Sequence, residues 1–520
     1  MPLTAAAPQQ ISIPGPRPGV MTNTSILAGY AVFETIVVFL FQVMVARYLG
    51  PESFGRLGWA LTYALLTSVW SDPGIGIAMT KLVATSQGEK QLDYVANGVT
   101  ARLALTSIVF VLSLVPCAFV PYMRENFGLI LLVLISEHMR NMALYFCYVF
   151  RGQQQNKFEA LSLGTERLGA LLLAWPLLYM GFGIRAVAWV YVAARTTSLL
   201  VAVTSNVRAF GWRPLGIDRV LLRRILIETM PLAVLIICER TNMYLPPLLV
   251  KAFADEHALG IFNAAFKSVY PAVLMCTAVA GSLYAPMAAR FHADPGESAR
   301  LYRAGLRGLM HLLLPVAVIT LLLSPQVTIV LYGPEYSESA RVLQFLTAYF
   351  VAIIFIALNH LFMPAINRQR VVGIVSLISV AVNAGLAVWF ISQWGAAGAG
   401  LSLAAAQVVI AFVYVAMARR FGKAGLSPRE WFTMAAAFLL AAGALYLARP
   451  HLPGPGIEPL LQSLAAGRQL LMLRSLVEVL EGAALSVTVY AAFLFGLGGV
   501  SVEERRMFSA VARRLAVRLA

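Results

Sequence analysis

Residues 225–253 read ILIETMPLAVLIICERTNMYLPPLLVKAF. The run exceeds the roughly 20 apolar residues a helix needs to cross about 30 Å of hydrocarbon. Glu239 and Arg240 stand in its middle. An acid and a guanidinium at bilayer depth are expensive, and such groups face one another, water or a polar ligand. One stretch therefore sets two expectations, a membrane-spanning helix and a polar interior.

The rest of the chain has the same character. Of 520 residues, 59 % are apolar and 12 % charged, and mean hydropathy is +0.76. A soluble domain is about 45–50 % apolar and about 25 % charged, so the fold class is all-α and polytopic in the membrane. A barrel would show alternating segments of about 10 residues, and none is visible. The net charge of +16 does not call for nucleic acid, because basic cytoplasmic loops produce it. Cys117, Cys147, Cys238 and Cys276 lie within apolar runs without metal-ligand spacing and read as packing residues.

Fourteen spans are expected, at about 25–46, 57–79, 98–120, 128–150, 160–181, 186–207, 225–250, 260–286, 308–331, 342–364, 371–392, 397–418, 431–448 and 482–499. With the N-terminus inside, the tails and even-numbered loops hold 26 of the 40 lysines and arginines, Arg102 among them, and the opposite side holds nine. This bias places both termini in the cytoplasm. The domains read as a disordered cytoplasmic tail 1–24, an N-lobe 25–207, a basic linker 208–224, a C-lobe 225–418 and two further helices within 419–499. An outer amphipathic segment at 449–481 lies between those two helices, and a basic cytoplasmic tail 500–520 follows. Asp72-Pro73-Gly74 interrupts the second span, and Pro246-Pro247 and Pro271 fall inside the seventh and eighth. Each is a place for a bend.

The two lobes repeat one another. Glu34 precedes Gly55 by the interval that separates Glu239 from Gly260, and both glycines follow a short polar hairpin. Ala78-Met79-Thr80-Lys81 parallels Met287-Ala288-Ala289-Arg290, and Phe182-Gly183 parallels Trp394-Gly395. Six crossings separate the copies, so both have the same orientation and a site is expected between them.

Helical spacing groups the buried polar residues. Asn263, Lys267 and Tyr270 share a face, as do Tyr191, Arg195 and Ser198; Glu137, Asn141 and Tyr148 line another, beside Arg140. Glu166-Arg167 and Glu239-Arg240 complete the set. The candidate substrate-binding residues are Arg240, Lys267, Arg195, Arg140, Arg167, Asn263 and Tyr270. Guanidinium forks suit phosphate or diphosphate. The plainer reading is a set of ion pairs that hold helices together. Glu34 and Glu239 are candidates for ion coupling. Arg240 beside it should keep Glu239 charged. Glu34 has no cation within four positions and is the expected protonatable acid, unless it pairs with an arginine such as Arg195. No nucleotide loop, metal site, cofactor motif or catalytic constellation is visible.

At Ala46-Arg47-Tyr48-Leu49-Gly50-Pro51-Glu52-Ser53-Phe54-Gly55-Arg56 the chain resembles the polysaccharide transporter family, the O-antigen and exopolysaccharide flippases of bacteria. Ala258-Leu259-Gly260-Ile261-Phe262-Asn263-Ala264-Ala265, Ile366-Asn367-Arg368-Gln369 and Trp394-Gly395-Ala396-Ala397-Gly398-Ala399-Gly400 are similar to its second half. That family shares a superfamily with multidrug exporters and the lipid II flippase. The resemblance covers about residues 20–420 and copies over no site. It implies two six-helix bundles forming a V, alternating access, and a lipid-diphosphate-linked oligosaccharide moved across the bacterial inner membrane. The implied partners are that substrate, membrane lipids, and the polymerase and glycosyltransferases of the pathway, with no nucleic acid. A secondary transporter rather than an enzyme is expected. The alternatives are a cation-coupled multidrug exporter, whose cavity should be dominated by acids, and a non-transporting scaffold for a polysaccharide synthase.

Overall fold

A computed structural model describes residues 18–72, 74–211, 216, 218–453, 457, 461, 463 and 467–496. The helices are α1 (Pro18–Ser68), α2 (Ile75–Ala84), α3 (Glu89–Phe119), α4 (Pro121–Glu125), α5 (Phe127–Gly152), α6 (Asn156–Tyr179), α7 (Ile184–Phe210), α8 (Arg219–Phe253), α9 (Glu256–Ala293), α10 (Pro295–Leu322), α11 (Ser324–Tyr332), α12 (Ser339–Ala365), α13 (Gln369–Gly422), α14 (Pro428–Ala448) and α15 (Gly467–Gly496). No strand occurs among the described residues. Among the described residues, ten helices are long and apolar enough to cross a membrane. Two of them, α1 and α13, leave helical geometry at Gly50 and Gly395 and supply two crossings each. Helices α6 and α8 are also long enough to span, and counted with these they are compatible with the fourteen crossings expected from hydropathy.

Local chemistry sets several of these ends. Gly50 (φ 71°) and Gly395 (φ 52°) occupy the left-handed region that a side chain disfavours. Asp255 opens α9 by accepting the Ala258 N–H at 2.7 Å. Ser427 and Glu430 cap α14 reciprocally, with Pro428 in the first turn. The second crossing breaks where Asp72-Pro73-Gly74 predicts. Helix α1 ends at Ser68, a 3-10 turn covers Val69–Ser71, and α2 restarts after Gly74 (φ 93°). Helices α8 and α9 stay helical through Pro246-Pro247 and Pro271.

Three expectations change. The first helix begins at Pro18, ahead of the expected start near 25, so the expected disordered tail 1–24 is helical from that point; residues 1–17 lie outside the described residues. Helix α15 runs unbroken from Gly467, so the later half of the expected amphipathic segment 449–481 is continuous with the last crossing. The basic tail 500–520 and part of the linker 208–224 lie outside the described residues. Arg102, counted among loop cations, is instead 1 % exposed inside α3. It donates to the Ser71 carbonyl at 2.8 Å and lies 2.9 Å from Asp72. The helix break leaves polar groups that only a buried cation can serve, and hydropathy cannot see that demand.

Helices α1–α7 pack as one lobe and α8–α13 as the other, with α14 and α15 against α10 and α11. Leu112, Leu172, Phe412 and Leu447 are each more than half exposed, as a bilayer-covered surface requires. The lobes meet where α1 crosses α9. A Cβ on Gly55 would lie 1.9 Å from the Glu256 carbonyl oxygen, and one on Gly260 would lie 1.9 Å from the Pro51 carbonyl oxygen. Backbone touches backbone there. Around this crossing Arg56 pairs with Glu256 at 2.7 Å, Lys251 lies 3.8 Å from Glu256, and Tyr336 donates to the Ala46 carbonyl at 2.8 Å. Arg47 donates to the Leu331 and Val330 carbonyls at the end of α11.

Candidate functional site

Beyond the crossing the lobes separate around a cavity of about 400 Å³. It is lined along α1 from Thr35 to Ser68, and beyond the helix end by Asp72 and by Ile77 of α2. All seven residues expected at a binding site border it, namely Arg140, Arg167, Arg195, Arg240, Asn263, Lys267 and Tyr270. Glu239 borders it as well, whereas Glu34 lies behind Arg167.

The two walls differ in how their charges are matched. On the N-lobe wall, α5 contributes Glu137 and Arg140, α6 Glu166 and Arg167, and α7 Arg195. Arg195 lies 2.8 Å from Glu137, donates to Ser136 Oγ at 2.8 Å and packs over the Tyr191 ring at 4.8 Å. Glu166 gathers three cations, with Arg167 at 3.0 Å and Arg140 and Arg195 at 3.6 Å. Arg167 then reaches Glu34 at 2.8 Å. Glu137, Glu166 and Arg195 are each at least nine-tenths buried. The network is neutral, three glutamates with three arginines, and it ties α1, α5, α6 and α7 together. Burying these charges is tolerable only because each is paired.

On the C-lobe wall the cations lack acids. Arg240 faces the cavity and contacts the Tyr244 hydroxyl at 3.3 Å, one turn along α8. Neither Arg240 nor Lys267 has a carboxylate within ion-pair distance among the described residues. Asn263 packs against Gly58 with its Nδ2 unpartnered. Glu239 and Tyr270 also border a second cavity of about 250 Å³ inside the C-lobe, with Asn242, His360, Gln407 and Tyr414.

This geometry places the two candidate coupling acids in different surroundings. Glu34 is paired, with Arg167 and not with Arg195. Its partner comes from α6, so a search along its own helix could not find it. Glu239 has no ion pair among the described residues, and Arg240, its neighbour in sequence, engages Tyr244 instead. Adjacency alone does not decide pairing: Glu166 and Arg167 pair at 3.0 Å, whereas Glu239 and Arg240 do not. Asp72 was legible only as part of a helix break, yet it borders the main cavity. An acid beside Pro-Gly within an apolar span was the available signal.

The sequence model described as polysaccharide biosynthesis protein matches residues 20–292, and the one described as lipid II flippase MurJ matches residues 161–457. No curated protein matches the sequence. Among solved structures the fold is similar to the lipid II flippase MurJ in an inward closed conformation, at 13 % identity and a TM-score of 0.69, covering 92 % of this chain and 99 % of that one. It is also similar to an inward-facing MATE family multidrug resistance transporter of the MOP superfamily, at 14 % identity and a TM-score of 0.61, covering 78 % of this chain and 98 % of that one. The chain belongs to the polysaccharide biosynthesis protein family, whose model matches more than half of it, and the lipid II flippase MurJ model matches a stretch of similar length.

Proposed function

We propose that the protein is a flippase of the bacterial inner membrane. It carries a lipid-diphosphate-linked oligosaccharide, the repeat unit of an O-antigen, capsule or exopolysaccharide, from the inner to the outer leaflet by alternating access. Both termini lie in the cytoplasm in this reading. The observation that carries it is the unequal charge of the two cavity walls. The N-lobe arginines are matched by glutamates, whereas Arg240 and Lys267 face the cavity without acids. A diphosphate supplies the missing negative charge, and the guanidinium can grip it with two parallel hydrogen bonds. A multidrug exporter for cationic drugs would need surplus acid there, and Glu239 is the sole cavity acid without an ion pair among the described residues. Deletion of the gene should abolish surface polysaccharide and accumulate lipid-linked repeat units. Unchanged surface glycan, or altered drug susceptibility in its place, sinks the proposal.

The same reading gives Arg240→Ala a defined phenotype. Transport should fall at least about tenfold, the equivalent of one charged hydrogen bond of about 1.5–3 kcal/mol, while membrane insertion and thermal melting stay intact. Lys267→Ala should act in the same direction and less strongly, because a point charge lacks the planar fork. Transport by reconstituted vesicles checks both. Normal transport by a well-expressed Arg240→Ala protein removes Arg240 from the site.

Glu239 is the coupling acid in this proposal, a carboxylate able to take a proton or sodium ion in one state and release it in the other. Glu239→Gln should abolish the response of transport to imposed pH or sodium gradients. Glu34→Gln should preserve that response. A full gradient response in the Glu239→Gln protein assigns coupling elsewhere.

A further inference from the structure

We infer that Asp72, Asn141 and Tyr148 form a glycan subsite on the N-lobe wall, which hydrogen-bonds hydroxyls of the sugar attached to the diphosphate. The inference rests on the flippase reading and assigns a separate part of the cavity to a separate part of the substrate.

The construction begins with the helix break. Arg102, fully buried, donates through Nη1 to the Ser71 carbonyl and lies 2.9 Å from Asp72 Oδ1; through Nη2 it donates to the Asn141 carbonyl at 3.2 Å. The Gly76 N–H donates to the same Asp72 Oδ1 at 3.2 Å. One carboxylate oxygen is thus fixed from behind, while Oδ2 has no hydrogen bond among the described residues and the residue borders the cavity. Asn141 lies one turn beyond Glu137 on α5 and is 8 % exposed, with its Nδ2 unpartnered. It borders the same cavity. Tyr148 is clamped. The Arg151 guanidinium lies over its ring at 5.1 Å, and the ring sits so close to Gly76 that a Cβ there would fall 2.2 Å away. Its hydroxyl has no partner among the described residues, and the residue borders the cavity. Arg102 bridges Asp72 to Asn141 and Gly76 joins Asp72 to Tyr148, so the three groups form one patch.

Their chemistry selects the ligand. Asp72 Oδ2 accepts only, Asn141 Nδ2 donates only, and the Tyr148 hydroxyl does both. Sugar hydroxyls donate and accept and can satisfy all three. Phosphate cannot, because it meets the Asp72 carboxylate as a like charge. The diphosphate is left to Arg240 and Lys267 on α8 and α9, and the attached sugar falls to the facing wall. Asn141 Nδ2 is a buried donor without a partner among the described residues, whereas buried polar groups are as a rule satisfied, so a ligand hydroxyl would complete it.

Binding to the purified full-length protein separates the two assignments. The probes are undecaprenyl diphosphate alone and undecaprenyl diphosphate carrying glucose, galactose or N-acetylglucosamine, read by native mass spectrometry. The unsubstituted protein should prefer at least one glycosylated lipid over the bare one. Tyr148→Phe and Asn141→Leu should each remove roughly three- to tenfold of that preference, as the loss of one neutral hydrogen bond predicts. Affinity for the bare lipid should not change. The subsite is overturned if the unsubstituted protein binds the bare lipid with no sugar preference, if both variants keep the preference, or if they weaken bare and glycosylated lipids equally. Failure of the unsubstituted protein to bind even bare undecaprenyl diphosphate overturns the flippase reading beneath it.

Discussion

Gly260→Ala should force the lobes apart at the crossing of α1 and α9 and stop transport. The added Cβ would fall 1.9 Å from the Pro51 carbonyl oxygen and 2.6 Å from its carbon. Both are backbone atoms, so no rotamer change relieves the clash and a helix must move. Overpacking of this kind costs about 1–3 kcal/mol, enough to reduce the population in which α1 and α9 touch about five- to hundredfold. Gly55→Ala meets the Glu256 carbonyl and the Gly260 nitrogen and should behave the same way. Spin labels at Tyr48→Cys and Phe253→Cys would report the separation, since both positions are exposed and the four native cysteines are buried. The distance should lengthen in the Gly260→Ala protein. An unchanged distance together with full transport would show that the crossing is not needed.

Arg195→Ala should damage stability as strongly as Gly260→Ala damages transport. The substitution strips Glu137 of its cation at 2.8 Å and removes one of three cations around Glu166. Glu137 and Glu166 are each 2 % exposed. Removing one partner of a buried pair costs about 3–5 kcal/mol because the other charge stays behind. Thermal melting in detergent should therefore fall well below that of Arg240→Ala, which leaves no buried carboxylate without its partner. Adding Glu137→Gln should recover part of the loss, and the double-mutant cycle measures the coupling directly. If Arg195→Ala melts like the unsubstituted protein, the N-lobe network carries no structural load.

The all-helical membrane fold and the identity of the polar residues near mid-span were legible because each is a property of one helix at a time. Length and hydropathy mark a span, and spacing marks a face. The repeat added what single helices cannot, the match of Gly55 with Gly260. Pairing between helices was not legible. Glu34 finds Arg167 across 133 positions of sequence. Arg102 looked like a loop cation because it stands near the start of its span, and only the break in the second crossing gives it a buried task. The distinction that matters most for the site, between cations already neutralised and cations left open, depends on which helix ends up beside which.

The contact of Gly55 with Gly260 also says something about how such a chain arises. A two-fold axis brings a position onto its own counterpart only where the axis itself passes. If the halves began as separate copies of one short polypeptide, that position faced itself across a self-complementary dimer, as isologous symmetry requires. A single glycine then relieved both sides at once. After fusion the two codons became independent while the steric demand stayed shared, so a larger side chain on either half penalises both. Relatives that enlarge one position should compensate at the other or lose the close crossing altogether.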